Sequence, residues 1–447
     1  MTQIAHANDH AAVDTDQPIL RAHDLKTHFP VRGGLFGRGS GGVVKAVDGV
    51  SFDIAPGEVF GVVGESGSGK TTLGRTLVNL IPPTSGELSY RGIDLMTLNA
   101  RSMRALRREM SVIFQDPNAS LNPAMTIAEG VGHPLRIHNL VNSRTESRRE
   151  VASMLDRVGL SPPESFLDRF PDELSGGQKQ RLVIARALIT RPKLVIADEP
   201  VAALDMSVRA RVLKLMLELK AELNLTYILI THDLATARFM CDRIGILYLG
   251  KFVEQGPAKM LFDDPKHPYT RALLDAIPLP EAGRRHRQKT LPRGEIPDAI
   301  RPPAGCRFHP RCARAFEACG WEGRDLLEAI EVRWAEVEPA TYERERALVG
   351  RLDRVEVGRE QVRFIHTDAD ALAEWLCDVG PELANGVFSG VASVRVESGG
   401  VVVTFRAASE PAMQDVAGRS VACHLYGVVA LADGGDVGIP DGSTPPG

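Results

Sequence analysis

Residues 64–71 read GESGSGKT, set between an apolar run, EVFGVV, and a helix-like run, KTTLGRTLVNLI. Glycines at 64, 67 and 69 let successive main-chain N–H groups turn inward, and the start of the following helix adds its positive dipole end. A glycine-rich turn alone is usually only a turn. The full spacing between strand and helix makes this one a cradle for phosphate. Lys70 then reaches the β- and γ-phosphates, the Thr71 hydroxyl takes one position on Mg²⁺, and Glu65, Ser66, Ser68 and Thr72 complete the wall. Few folds put a strand end and a helix start around one anion in this way.

The pattern downstream supports a parallel α/β sheet. LVIADE and LTYILITHD are continuous apolar runs, as expected of strands buried on both faces, and they alternate with helical stretches such as QRLVIARALI. LVIADE delivers Asp198 and Glu199 at a strand's carboxyl end, where open parallel sheets bind ligands. With a phosphate loop elsewhere in the chain, Asp198 reads as a holder of Mg²⁺ and Glu199 as the group that polarises the attacking water. At 174–178, LSGGQ opens another helix, with Ser175 at the N-cap and Gly176 and Gly177 behind it. A plain cap explains the serine but not both glycines; bare N–H groups at a dipole end suit an anion.

The 447 residues exceed what one hydrophobic core usually fills, so more than one domain is expected. Residues 1–17 have neither a basic n-region nor an apolar h-region and read as a disordered leader; residues 18–262 carry the nucleotide motifs. Residues 263–322 read as a linker and cysteine-rich extension, 323–425 as a small α+β appendage, and 426–447 as a disordered tail. RGGLFGRGSGG is a glycine-rich loop between two early strands. In the appendage, DADALAEWLCDV has a helical pattern, while VASVRVESGGVVVTFRA has that of a hairpin turning at SGG. The net charge of −4 gives no reason to expect nucleic acid. No run approaches the ~18 apolar residues needed to span a bilayer, so a membrane role requires a separate partner.

Taken together, these motifs resemble the ATP-binding subunit of an ABC transporter over residues 18–262. The wider set includes Gln115 in VIFQDP, Asp205 closing AALD (the D-loop), His232 in ITHD and Phe29 in THFP. The resemblance implies a P-loop NTPase fold with a helical subdomain and Mg²⁺ held by Thr71, Gln115 and Asp198. It makes Glu199, His232 and Lys70 catalytic and gives Phe29 an adenine to stack on. Leu174, Ser175, Gly176, Gly177 and Gln178 would act in trans, on the γ-phosphate held by a second subunit. HFPVRGG, FQDPNASLNP, DEPVAALDMSVRA and HPYTRALLDAIP resemble the peptide and nickel importers. This implies import of dipeptides or oligopeptides, a heterodimer with a paralogous ATPase rather than a homodimer, two permease subunits and an extracellular solute-binding protein. The chain would then be cytoplasmic, on the inner face of the membrane. Another solute, such as a nickel chelate or a sugar, and a soluble non-transport ATPase are the alternatives.

Three of the six cysteines, Cys306, Cys312 and Cys319, fall in one short stretch. Three reduced thiols in a small core, a zinc site and an iron-sulfur cluster are all compatible with that spacing. The importer resemblance implies a 4Fe-4S cluster with Cys423 in VACHL as fourth ligand, zinc being the alternative; His309, Cys377 or His424 could substitute. Cys377 sits in the helix-like run and reads as core, and Cys241, before an apolar strand, as structural.

Overall fold

The computed structural model describes residues 17–31, 42–276 and 294–426. The leader up to residue 16, most of the glycine-rich loop, residues 277–293 of the expected linker and the tail from 427 lie outside the described residues. The described chain falls into two compact units. One comprises residues up to His28, Val47–Val62 and Lys70–Arg243; the other comprises Phe29–Ala46, Val63–Gly69 and the chain from Ile244 onward.

In the first unit the buried apolar runs become the expected strands, in the order Val59–Val63, Thr226–Thr231, Leu194–Asp198 and Met110–Ile113. Met110–Ile113 and Thr226–Thr231 both pair parallel with Leu194–Asp198. All side chains of Leu194–Asp198 and Thr226–Thr231 are buried, which is why they lack polar alternation. The helix Lys70–Leu77 packs so close to this sheet that a Cβ on Gly74 would stand 2.4 Å from the Ile230 side chain. A second, antiparallel sheet has the order Val43–Ile54, Leu20–Pro30, Ser85–Tyr90, Ile93–Asp94. Between Met110–Ile113 and Leu194–Asp198 the chain is helical, chiefly Ile127–Ile137, Arg144–Arg157 and Gly176–Leu188. Thr126 and Ser143 cap the first two of these helices.

In the second unit Arg243–Tyr248 and Lys251–Pro257 are neighbouring strands, and Ser420–Val421 adds antiparallel to the latter. Residues 268–275, inside the stretch expected to link, form the helix Pro268–Asp275. Residues 323–405 contain helices and an antiparallel sheet. A four-stranded sheet in the order Glu356–Val357, Gln361–Ile365, Gly400–Phe405, Val391–Glu397 packs with the helices Gly323–Glu336 and Ala369–Val379 around Trp321, Phe364, Leu372 and Val403. The hairpin turns at Ser398–Gly399, between the paired residues Glu397 and Gly400, and Gly399 supplies a φ of +84°.

Cys377 corrects the reading of it as core, because it is exposed. Leu372 and Leu376 set the buried stripe of its helix, and the next residue is turned about 100° away. Cys241 is buried at 9% exposure, as a structural cysteine should be.

Leu372 is fully buried in this core. Leu372→Ala is expected to lower unfolding stability by about 2–5 kcal/mol, the range for truncating a buried leucine. Urea titration of the full chain checks this, and an unchanged midpoint would contradict the packing described.

Candidate functional site

In the first unit, the strand Leu194–Asp198 ends on Asp198, and the helix Lys70–Leu77 brings Thr71 to it. The Thr71 hydroxyl donates to Asp198 Oδ1 at 3.2 Å. Asp198 is 4% exposed, and burial raises its carboxyl pKa; the Thr71 hydrogen bond and the charges of Arg75 and Lys70 oppose that rise. Glu199 follows in a left-handed conformation, φ +47°, with its N–H donated to the Ile230 carbonyl at 2.9 Å. The Glu199 carboxylate meets two partners. His232 Nδ1 lies 2.9 Å from Oε1, and Gln115 Nε2 donates to Oε2 at 3.3 Å. Gln115, Glu199 and His232, far apart in sequence, thus form one hydrogen-bonded chain beside the Thr71–Asp198 pair. A hydroxyl and a carboxylate are hard oxygen donors of the kind Mg²⁺ takes, so these residues fit that ion.

In the second unit lie Gly64–Gly69 and Phe29, which is 38% exposed at the end of its strand. Gly67 and Gly69 have φ of +79° and +104°. A Cβ on Gly64 would stand 2.2 Å from the Leu247 carbonyl oxygen, and one on Gly69 2.0 Å from that of Ala46. Ser68 is 3% exposed, and among the described residues its Oγ has no hydrogen-bond partner. Ser66 is exposed. Glu65 has partners that the sequence did not announce. Its N–H donates to the Tyr269 hydroxyl at 3.0 Å, and its carboxylate pairs with Arg311 at 3.1 Å. The residues that hold it lie about two hundred positions downstream, and no local pattern in the sequence signals either contact. The chain runs directly from Gly69 into Lys70, which is 6% exposed, and on to Thr71 and Thr72, both half-buried.

At the LSGGQ stretch, Leu174 is buried and Ser175 caps the helix Gly176–Leu188. The Ser175 N–H donates to Gln178 Oε1 at 2.9 Å and its hydroxyl accepts from the Gln178 N–H at 3.4 Å, a capping box. Among the described residues a Cβ on Gly176 would meet nothing within 4 Å, whereas one on Gly177 would stand 2.8 Å from Val208. The two glycines therefore do different things: Gly177 allows close packing, and Gly176 leaves the helix start open. Asp205 caps the helix Met206–Leu223. The Val208 N–H, then the Ser207 hydroxyl, hold its carboxyl pKa down.

The strand Ser420–Val421, paired with Glu254 and Gln255, returns the chain so that Cys423 lies near the other three cysteines. All four are buried, at 7–8% exposure. Burial, then the neighbouring cysteines, push the Cys306 thiol well up, and mainly burial pushes Cys319 to about 12 and Cys423 to about 11. Main-chain N–H groups of Arg314 and Phe316 point at the sulfurs of Cys312 and Cys319, at 3.4 and 3.5 Å. No group of three or more His, Cys, Asp or Glu among the described residues is arranged to hold a metal ion. The four thiols share a neighbourhood without forming a finished ligand set. The suggested substitutes are engaged elsewhere. His309 is fully buried, with Nδ1 on the Cys306 carbonyl and Nε2 on Asp325, and His424 Nε2 faces the Ser409 carbonyl.

Residues 47–202 match the ABC transporter family, and residues 253–319 match the oligopeptide/dipeptide transporter C-terminal region. The oligopeptide transport ATP-binding protein AppF of Bacillus subtilis (strain 168) is 47% identical over 315 residues, covering 70% of this chain and 94% of that protein. The dipeptide transport ATP-binding protein DppF of Haemophilus influenzae is 45% identical over 308 residues, covering 69% and 92%. Among solved structures, the dimeric ATP-binding cassette MJ0796 bound to ADP and Pi is 30% identical over 54% of this chain and 98% of its own, with a TM-score of 0.47. The extent of these sequence matches shows that the chain belongs to the ABC transporter family, among its ATP-hydrolysing subunits.

Proposed function

We propose that this chain energises an importer of dipeptides or oligopeptides, by hydrolysing ATP at a site shared with a second ATPase subunit. The observation that carries the chemistry is the Glu199 carboxylate, held between His232 and Gln115 directly after Asp198. One carboxylate oxygen is fixed by His232 and the other by Gln115, so the group is oriented before any water arrives. It accepts the proton of the attacking water, while His232 contacts the γ-phosphate and Lys70 its oxygens. Thr71, Gln115 and Asp198 would hold Mg²⁺, which when bound neutralises phosphate charge. Residues 64–72 cradle the phosphates and Phe29 stacks on the adenine. Support for the cargo comes from the names of the relatives, oligopeptide and dipeptide transport proteins, and from the matching C-terminal region.

The open position at Gly176 supports Leu174–Gln178 acting on nucleotide bound by a partner, with Asp205 beside that interface. The partner in this reading is a paralogous ATPase. No helix among the described residues is long and apolar enough to cross a membrane, so the reading assigns passage of peptide to two permease subunits. An extracellular solute-binding protein serves them, and the chain works on the cytoplasmic face. Residues 18–262 serve as the nucleotide-binding domain, 263–322 as linker and cysteine-rich extension, and 323–425 as the appendage that carries the chain to Cys423. The cysteines are proposed to take a 4Fe-4S cluster. Support comes from four buried thiols in one neighbourhood and from two N–H groups aimed at sulfur, as metal-bound thiolates prefer.

Glu199→Gln is expected to lower steady-state hydrolysis by roughly a hundredfold or more in the assembled transporter, while ATP still binds, since only the proton acceptor is removed. Parental turnover in that variant would sink the assignment. Gly176→Asp is expected to halt hydrolysis in the assembly but to spare ATP affinity of the isolated chain; equal loss in the isolated chain would show that LSGGQ acts in cis. Chain purified without oxygen is expected to contain iron and sulfide, to absorb broadly near ~400 nm and to lose that band in Cys312→Ser. Zinc alone, or no metal, would overturn the cluster.

A further inference from the structure

The segment that carries the first cysteines also grips the phosphate-binding loop. Arg311, directly before Cys312, donates from Nη1 to both Glu65 carboxylate oxygens, at 3.1 and 3.3 Å, and to the Tyr248 hydroxyl at 3.4 Å. Its guanidinium lies 5.9 Å from the Tyr248 ring centre and 6.0 Å from that of Phe308. Phe308, four residues from the same cysteine, packs 5.3 Å from Tyr248 and 5.2 Å from Tyr269, centre to centre. Tyr269 in turn accepts the Glu65 N–H. A second route runs through Arg307, which donates to the Leu249 carbonyl; the next residue, Gly250, donates its N–H to the Ser68 carbonyl at 2.8 Å. Both ends of the stretch Glu65–Ser68 are therefore tied to residues 307–311.

The charge of Glu65 makes this contact consequential. Its side chain is 23% exposed and that of Arg311 9%, so solvent screens neither well. A carboxylate standing on the loop that receives a polyanion repels that ligand unless a cation compensates it. Arg311 supplies the cation and, through its two hydrogen bonds, fixes where the carboxylate points.

We propose that Arg311 is a positioning residue for the phosphate-binding loop, acting through Glu65, so that the seating of the Cys306–Cys312 segment sets how tightly nucleotide is held. The proposal rests on the reading of residues 64–72 as the nucleotide loop.

The test is MgATP affinity of the full chain, read with a fluorescent ATP analogue. Arg311→Gln is expected to weaken binding roughly tenfold, as loss of a charged hydrogen-bonded pair implies. Arg311→Lys, which keeps the charge, retains most of the affinity. Adding Glu65→Gln to Arg311→Gln removes the carboxylate charge that Arg311 faced and restores most of the loss. A merely structural arginine would give no such recovery: a double variant as weak as Arg311→Gln, or unchanged affinity in Arg311→Gln, overturns the proposal. Lys70→Ala separates the two readings. Lost binding there with unchanged binding in Arg311→Gln rejects only the Arg311 role, while full affinity in Lys70→Ala rejects the loop assignment beneath it.

Discussion

Close main-chain packing around residues 64–69 is the constraint on which the phosphate loop depends. Cβ atoms at Gly64 and Gly69 would approach the carbonyl oxygens of Leu247 and Ala46 to 2.2 and 2.0 Å, distances no real contact allows. The glycines therefore serve two purposes at once. They give Gly67 and Gly69 a positive φ, and they let the loop lie against its own chain. With both sides committed, the loop has little freedom to relax. A contact made far along the chain, such as that of Arg311 with Glu65, then bears on the conformation of the loop.

Two adjacent carboxylates have different partners. Asp198, at the end of a fully buried strand, meets a hydroxyl, and burial raises its pKa. Glu199, rotated by a positive φ, meets an imidazole and an amide. Neighbouring acids that face such different partners can be given different work, one as a ligand and one as a proton acceptor.

The cysteine segment is completed by a distant return of the chain. The chain leaves near Cys319, builds a core around Trp321, Phe364 and Leu372, and returns at Ser420–Val421. The return strand is short but well held. Val421 is fully buried, and Arg419 binds the Met260 carbonyl at 2.9 Å and the Asp264 carboxylate at 3.1 Å. Cys423 follows two residues later, so its placement depends on that pairing and not on the length of chain between.

What the sequence determined by itself is what local geometry dictates. The glycine spacing of 64–69, the buried runs 194–198 and 226–231, the cap at Ser175 and the turn at 398–399 are each decided by residues within a few positions of one another. Strand, helix and loop could be read there because backbone conformation and burial leave a short-range signature. Tertiary structure alone decided the rest. It joined Gln115 and His232 on Glu199, tied Arg311 to Glu65 across 246 positions, turned Cys377 outward beside Leu376 and engaged His309 with Asp325. These contacts depend on which faces meet when sheets and helices pack, and a chain pays for them with burial that no local pattern records.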